Sequence, residues 1–598
     1  VTSENVETSG TVDLSRENRL ILTPDASEFE MPQGGVHIRL NDVPREVDFR
    51  LQNYKLFACH AFCRKNKIDR VVMDSDKPRF GIVTAGKSYG DVRQALIELG
   101  ITDDIAKDIG LRLYKVGMPW PLEPQGAHAF VEGLEEILIV EEKRELIENQ
   151  LTQQIFNWPP EKRPMVVGKY DENRKRLLPL DNAHNVGMVA RVIAQRIARF
   201  YHNEKIDAAL AFHERYEQEA KAYAAPSLRK PYYCAGCPHN TSTKVPEDSF
   251  AMVGIGCHYM VQWMDRNSAL CTQMGGEGVP WIGMAPYTKR KHIFANLGDG
   301  TYFHSGSLAI RASVAAKVNI TYKILYNDAV AMTGGQHVDG DLPVYRVAQQ
   351  VMSEGVSKAW ILSEFPESYK NVKEIPKDVA VLGREQLENI MKECQTIEGT
   401  SVIIYDQTCA AEKRRRRKRG LYPDPAKRVI INDSVCEGCG DCSVQSNCVA
   451  VQPLETEYGR KRQINQSLCN KDFSCLKGFC PSFVTVHGGE LRKTKASDED
   501  GGGDIFASLP QPNVPSLDDA YNIVVTGIGG TGVLTIGALL GMAAHVEDKF
   551  CRNLDMTGLA QKGGEVLSHV RIGNKQEDLR TGNIIAGGAN LLLACDIV

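Results

Sequence analysis

Seven of the 17 cysteines of this chain crowd into the 45 residues from Cys436 to Cys480, spaced C-x2-C-x2-C-x5-C and then C-x5-C-x4-C. A segment so rich in thiols and without a long apolar run does not close a core in the ordinary way, so bound metal is expected to hold it. The cysteine total is odd and clustered, unlike a small secreted disulfide scaffold. Metal ligation in a reducing, cytoplasmic compartment is the expectation. The whole chain has 598 residues, enough for about three to five domains. Its 42% hydrophobic and 24% charged residues exclude a disordered, collagen-like or coiled-coil chain. Seventy-one basic against 75 acidic residues leave a net charge of −4, which gives no reason to expect nucleic acid or an acidic membrane as the main partner. No apolar run reaches the ~18 residues of a membrane span, and no signal peptide opens the sequence. The chain starts at Val1 rather than methionine and ends at Val598 just after an apolar stretch; it reads as an internal piece of a longer polypeptide.

Residues 1–45 are polar and turn-rich and read as a linker or the tail of an upstream domain. From 46 to 225 the pattern becomes α/β. The strand-like GIVTAG at Gly81 to Gly86 precedes a helix-like YGDVRQALIELG, and EEILIVEE at Glu135 to Glu142 precedes KRELIENQLTQQI. Such alternation predicts a parallel sheet covered on both faces, an accessory α/β domain. His60 between Cys59 and Cys63 hints at a metal site, but cysteines four apart on an amphipathic helix read as core residues. A second α/β domain spans 226–427, the cysteine-dense module 428–495, a charged Gly/Pro-rich linker 496–520, and a further α/β domain begins at 521 and is cut off at 598.

The strand-like KHIFANL leads into Gly298-Asp299-Gly300, and ILYND places Asn327 at the end of another strand. A carboxylate and an amide oxygen from two strand ends suit a small hard cation that also holds a phosphate, and the glycines admit a close backbone approach. A glycine-flanked aspartate alone is usually a turn. Joined to Asn327 and the following MTGGQ, Met332 to Gln336, it resembles the thiamine diphosphate signature of the 2-oxoacid:ferredoxin oxidoreductases. That resemblance implies that Asp299, Asn327 and the backbone carbonyl of Ala329 hold Mg²⁺ against the diphosphate. It also implies that Thr333, Gly334, Gly335 and Gln336 lie beside it and that Gly256 and Cys257 border the cofactor.

Cys234-Ala-Gly-Cys237, the GIGC of Cys257, and Cys409 after SVIIYDQT stand around this signature. In order they resemble the same family, which implies a [4Fe-4S] cluster on Cys234, Cys237, Cys257 and Cys409; zinc is the alternative. The 436–480 segment resembles a two-cluster bacterial ferredoxin, in which each CxxCxxC lends three ligands and the fourth comes from the other half. That pairing gives Cys436, Cys439, Cys442 and Cys480 to one cluster and Cys448, Cys469 and Cys475 to the other. Asp472 stands where the second half should have its middle cysteine and is the candidate fourth ligand. A three-iron cluster, a labile iron or loss of the cluster are the alternatives. Cys271, Cys394, Cys551 and Cys595 read as core residues.

The run KRRRRKR, Lys413 to Arg419, reads as a solvated surface, with nucleic acid or an acidic ferredoxin as other partners. Gly527, Gly529 and Gly532 in YNIVVTGIGGTG satisfy G-x-G-x-x-G, with Glu547 or Asp548 as a ribose acid, a nicotinamide reading. With LAQKGGEVLSHVRI following, this end instead resembles the gamma-type domain of the same family.

From about residue 46 to 598 the order of parts resembles fused, single-chain indolepyruvate ferredoxin oxidoreductases. The resemblance implies oxidative decarboxylation of an aryl pyruvate, electrons passing through two to three clusters to ferredoxin and the acyl group to coenzyme A, in a homodimer. Another 2-oxoacid, or an electron-transfer subunit without turnover, remains open. In that family the glutamate that activates the cofactor sits upstream of the accessory domain. Glu277, in GGEG, is the one substitute this chain offers, and a surface turn is the other reading of it. The chain alone is therefore expected to be inactive.

Overall fold

The computed structural model describes residues 6–11, 20–223, 230–338, 340, 342–489, 509–510, 513–560 and 563–596 of an α/β chain. They fall into two compact units, divided after Arg229, with the stretches Pro510–Ala560 and Gly564–Val598 returning to the first.

The first unit opens with β1 (Val6–Gly10) and then builds a five-stranded sheet from β2 (Arg70–Met73), β3 (Phe80–Ala85), β4 (Leu111–Val116), β5 (Glu136–Val140) and β6 (Met165–Val167). The order is β2-β4-β3-β5-β6, parallel except at the β2 edge. The apolar runs of β3 and β5 are buried on both faces because helices cover both. Gly86–Glu98 and Val186–Ile197 pack one face through Leu96, Leu99, Val189 and Ile193. Pro124–Val131 and Ile147–Ile155 cover the other through Phe130, Val131 and Leu151. Cys63 is buried, whereas Cys59 is exposed and so departs from the core role expected of both.

The second unit holds a wholly parallel sheet of β7 (Ala251–Met252), β8 (Ser268–Ala269), β9 (Ile293–Gly298), β10 (Ile320–Tyr326), β11 (Lys358–Ser363), β12 (Ala380–Gly383) and β13 (Thr400–Asp406). Its order is β12-β11-β13-β10-β9-β7-β8. Two small antiparallel pairs follow, β14 (Lys427–Ile431) with β17 (Phe483–His487) and β15 (Val451–Thr456) with β16 (Gly459–Ile464). The core between them is only Ile431, Cys436 and Val451, edged by Cys442, Cys448, Ile464, Cys475 and Phe483, as expected where thiols replace apolar bulk.

The chain then returns to the first unit as β18 (Tyr521–Ile528), the helix Val533–Val546, β19 (Phe550–Met556), β20 (Glu565–Gly573) and β21 (Leu591–Ala594). Here β1 is the edge strand of the order β1-β19-β20-β18-β21, with Gly10 opposite Arg552. Val6–Gly10 is thus not linker. Its alternating VETSG was too short and polar to read as a strand without its partner. The expected linker lies mostly outside the described residues, which resume at 513. Among the described residues no helix is long and apolar enough to cross a membrane.

Candidate functional site

Parallel strands place their C-terminal ends on one edge, and the motifs singled out in the sequence leave from neighbouring strands of that edge. β7 leads to Gly254-Ile255-Gly256-Cys257, β9 to Gly298-Asp299-Gly300, β10 to Asn327 and β13 to Cys409. The N–H of Cys409 donates to the carbonyl of Asn327 at 3.0 Å, tying the last two together.

Asp299 is buried, and its two oxygens accept the N–H groups of Gly300 and Asn327, each at 2.9 Å. Burial pushes its carboxyl up to about 6 against the pull of those bonds and of the N–H groups of Asp328 and Ala329. Asn327 is also buried. Its Nδ2 lies 3.3 Å from His239 Nε2, and its Oδ1 is buried without a partner. An orphaned amide oxygen next to a carboxylate that burial makes hard to ionise is what a cation would satisfy, so these two residues fit a bound Mg²⁺. Ala329 is buried in the same turn.

The TGGQ turn is closed on itself. Thr333 Oγ1 donates to Gln336 Oε1, and Gln336 Nε2 to the Thr333 carbonyl, both at 2.8 Å. Gly334 and Gly335 take φ of 126° and 86°, which side-chain-bearing residues avoid.

Cys234, Cys237, Cys257 and Cys409 line one small cavity together with His239, Asn327 and Ala331. None of the 17 cysteines forms a disulfide. Among the described residues no group of three or more His, Cys, Asp or Glu side chains is disposed to hold a single metal ion.

In the cysteine-dense module Cys448 faces this cavity's loop: its sulfur accepts the N–H of Gly236 at 3.4 Å, between Cys234 and Cys237. Asn470 Nδ2 donates to the Ala235 carbonyl at 2.8 Å, and Tyr232 bonds Asn447. Cys448, which lies near Cys469 and Cys475, therefore abuts the loop of the four-cysteine cavity, and Cys442 lies near Cys436. Asp472 does not behave as a spare ligand. Its Oδ1 accepts Arg384 at 2.7 Å and Gln407 at 2.9 Å, and its Oδ2 accepts the Ser474 hydroxyl. Burial opposes its charge, yet Arg384 and Ser474 hold its carboxyl below the usual range. An aspartate in a ligand's sequence position is here a buried ion-pair partner.

The basic run fits its solvated reading in part. In the helix Ala410–Lys418 and the residue after it, Arg414, Arg415, Lys418 and Arg419 are exposed, but Lys413 is buried and several of the cations meet partners within the unit. Buried Lys413 pairs with Glu364, Arg414 with the Ser467 carbonyl, Arg415 with the Gly334 carbonyl at 2.7 Å, Arg416 with Asp328 at 2.6 Å, and Arg417 with the Asn470 carbonyl at 2.8 Å. It pins the TGGQ and Asn327 turns to the cysteine module.

Of three further side chains, only Glu277 was singled out in the sequence. His258 is fully buried, and a Cβ added at Gly254, Gly256 or Gly298 would come within 3.2 Å of its ring, so those glycines make room for it. Lys323, fully buried on β10, donates to the carbonyls of Ser242 at 2.8 Å and Lys244 at 3.0 Å; burial pulls it down to about 7. Glu277 is not on a surface turn. It is 1% exposed, and its carboxylate accepts the N–H of Gly275 at 2.7 Å and of Ile255 at 3.4 Å.

At the other end of the chain Gly529 is a packing glycine: a Cβ there would sit 1.5 Å from the Ala560 carbonyl oxygen. This close approach of backbone to backbone accounts for Gly529 without a dinucleotide. Glu547 and Asp548 lie on an exposed turn. Of the four remaining cysteines Cys394 and Cys551 are buried and Cys595 half-buried, but Cys271 is exposed, contrary to expectation.

Residues 254–405 match the family model of the thiamine pyrophosphate enzyme C-terminal TPP binding domain. Residues 69–222 match the indolepyruvate ferredoxin oxidoreductase middle domain, and 522–597 match pyruvate ferredoxin/flavodoxin oxidoreductase. The chain is related to the indolepyruvate ferredoxin oxidoreductases. It is 25% identical over 428 residues to indolepyruvate oxidoreductase subunit IorA of Thermococcus kodakarensis, covering 67% of this chain and 60% of the relative. The IorA subunit of Pyrococcus horikoshii is 26% identical over 443 residues, covering 69% and 61%. Subunit IorB of Thermococcus kodakarensis is 38% identical over 78 residues, covering 13% of this chain and 37% of the relative. The chain thus spans about 60% of the length of the IorA relatives, and it carries segments similar to two indolepyruvate oxidoreductase subunits.

Proposed function

We propose that this chain is part of a thiamine diphosphate-dependent oxidoreductase that oxidatively decarboxylates a 2-oxoacid, most readily indolepyruvate, transferring the acyl group to coenzyme A and electrons to ferredoxin. The observation that carries it is the orphaned Asn327 Oδ1 beside buried Asp299, on the same sheet edge as a cavity lined by four thiols. When bound, thiamine diphosphate supplies the carbanion chemistry and iron–sulfur clusters the one-electron steps.

The chain's own residues position these groups. Asp299, Asn327 and the Ala329 carbonyl would hold the Mg²⁺ of the diphosphate. The turn of Thr333, Gly334, Gly335 and Gln336 would let the backbone approach it, with Gly256 on the neighbouring loop. Cys234, Cys237, Cys257 and Cys409 would hold the nearest cluster. Cys448, Cys469 and Cys475 would hold the next, as three thiolates since Asp472 pairs with Arg384, and Cys436, Cys439, Cys442 and Cys480 the outermost. The contact of Cys448 with the Cys234–Cys237 loop supports electrons passing in that order. Reduced thiolates suit the cytoplasm.

Completed with the domain that carries the activating glutamate in the resembling family, the anaerobically purified protein, given indolepyruvate, coenzyme A and thiamine diphosphate, should reduce ferredoxin, phenylpyruvate or an aliphatic 2-oxoacid should do so more slowly, and this chain alone should not. Iron and sulfide without bound thiamine diphosphate or 2-oxoacid-dependent cluster reduction would leave an electron-transfer subunit instead.

A further inference from the structure

In the first unit a cavity of about 960 Å³ opens where β3 turns into the helix Gly86–Glu98, closed over by β1, β19 and the segment Gln576–Asn583. None of the residues placed at the candidate site lines it. Its wall is cationic: Lys87, Lys115, Arg552 and Arg580 line it against a single carboxylate, Glu577. Lys87 is neutralised by Asp91 at 2.8 Å and Glu142 at 3.2 Å.

The other three cations have no ion-pair partner among the described residues. Lys115 lies over the Tyr89 ring, 4.5 Å from its centroid. Arg552 donates only to a carbonyl, that of Arg580, at 2.7 Å, and Arg580 Nε is buried with no partner at all. Burial makes both guanidinium charges costlier to hold, and the neighbouring Arg93 opposes that of Arg580 while Glu577 and Asp578 favour it. Such groups gain most from an incoming anion.

The backbone contributes as well. Gly86 turns at φ +57° with open space where a Cβ would be, and no side chain caps the helix that follows. Its first N–H groups are left for another acceptor. Three uncompensated cations beside a helix N-terminus suit more than one negative charge, and the volume suits an organic molecule rather than a lone phosphate.

We propose that this cavity binds a phosphorylated small molecule of nucleotide size, its phosphates held by Lys115, Arg552 and Arg580 at the start of the helix Gly86–Glu98. A free nucleoside diphosphate and the phosphoadenosine end of coenzyme A carry the same chemistry; only the second source rests on the proposed reaction.

Calorimetric titration of the anaerobic holoprotein with ADP, coenzyme A, inorganic phosphate and adenosine tests this, with and without excess thiamine diphosphate. ADP or coenzyme A should bind saturably, adenosine should not, and thiamine diphosphate should not compete. Lys115→Gln and Arg580→Gln should each weaken binding about tenfold, while Lys115→Arg should keep it. Circular dichroism of each variant reads folding separately. Coenzyme A binding more tightly than ADP identifies the coenzyme as the source; ADP binding as tightly or more tightly identifies a free nucleotide. Binding of phosphate alone, equal binding of adenosine, displacement by thiamine diphosphate, or unchanged affinity in both glutamine variants overturns the proposal. Because binding rather than turnover is read, failure of the proposed reaction would not imitate these results.

Discussion

The backbone N–H of Gly236 donates to the sulfur of Cys448 at 3.4 Å, joining a loop of the thiamine-type domain to the cysteine module. Hydrogen bonds to a cluster's sulfurs raise its potential. Gly236 also sits at φ +65°, and a Cβ there would lie 3.0 Å from that of Asp472 and 3.3 Å from that of Asn470. Gly236→Ala should therefore cost about 1–2 kcal/mol of stability and push the module away from the loop. Redox titration followed by electron paramagnetic resonance should show one cluster at lower potential. Unchanged potentials would mean that the contact tunes nothing.

Asp472 and Arg384 form a pair with side chains 8% and 17% exposed. Asp472→Asn should destabilise the unit by about 3–5 kcal/mol, because it leaves Arg384 buried without its counter-charge. Iron content should stay at the level of the parent. The pair's contribution is present above the ordinary carboxylate pKa, since Asp472 is held below it, and is lost as acid protonates the folded carboxylate. Chemical denaturation and iron analysis of the same samples check both statements. Loss of one iron per chain, with stability intact, would restore Asp472 as a ligand.

These two relationships show what the sequence could and could not reveal. That Asp299, Asn327, Cys234, Cys237, Cys257 and Cys409 meet at one sheet edge was legible through the resemblance of their motifs, and of the order of those motifs, to a known family; spacing alone did not reveal it. The partners of Asp472 were not legible, since Arg384 is 88 residues away and only the folded chain brings it near. The basic run was legible only in part for a similar reason: Arg414, Arg415, Lys418 and Arg419 are exposed as expected, but Lys413 is buried. A charge run is solvated only where nothing packs on it, and Arg415, Arg416 and Arg417 each meet acceptors far away in sequence. Val6–Gly10 needed a strand from the opposite end of the chain.

Arg416 holds Asp328, which turns at φ +55° immediately after Asn327. Arg416→Gln should change stability by no more than about 1 kcal/mol, because Asp328 is 40% exposed. It should weaken binding of magnesium thiamine diphosphate about fivefold by loosening the Asn327 turn. Calorimetry on parent and variant reads this directly, and equal affinities would show that the turn is held by its backbone bonds alone.

Lys323 is fully buried and pulled down to about 7 by loss of solvent. Its unfolded value is near 10.4, so between the two the unfolded chain binds more protons. Stability should accordingly rise with pH from about 7 to about 10, as the folded state escapes the burden of a buried ammonium. Lys323→Met should flatten that rise. Urea unfolding at pH 7 and 9 checks it, and an unaltered slope in the variant would assign the effect to another group.

Glu277 bridges two loops of the candidate site, accepting N–H groups from Gly275 and from Ile255 of the GIGC turn. A carboxylate accepts from both, whereas an amide offers one acceptor and would turn its NH₂ toward the other N–H. Burial raises the Glu277 pKa against the pull of these N–H bonds, and a buried N–H left without its acceptor is costly. Glu277→Gln should loosen the Cys257 loop, lowering iron content and thiamine diphosphate affinity together, with any loss of turnover following from those. Iron analysis, calorimetry and ferredoxin reduction on one preparation separate the roles. If turnover vanished while iron content and cofactor affinity matched the parent, Glu277 would be acting on the reacting cofactor itself rather than fastening the loops that hold it.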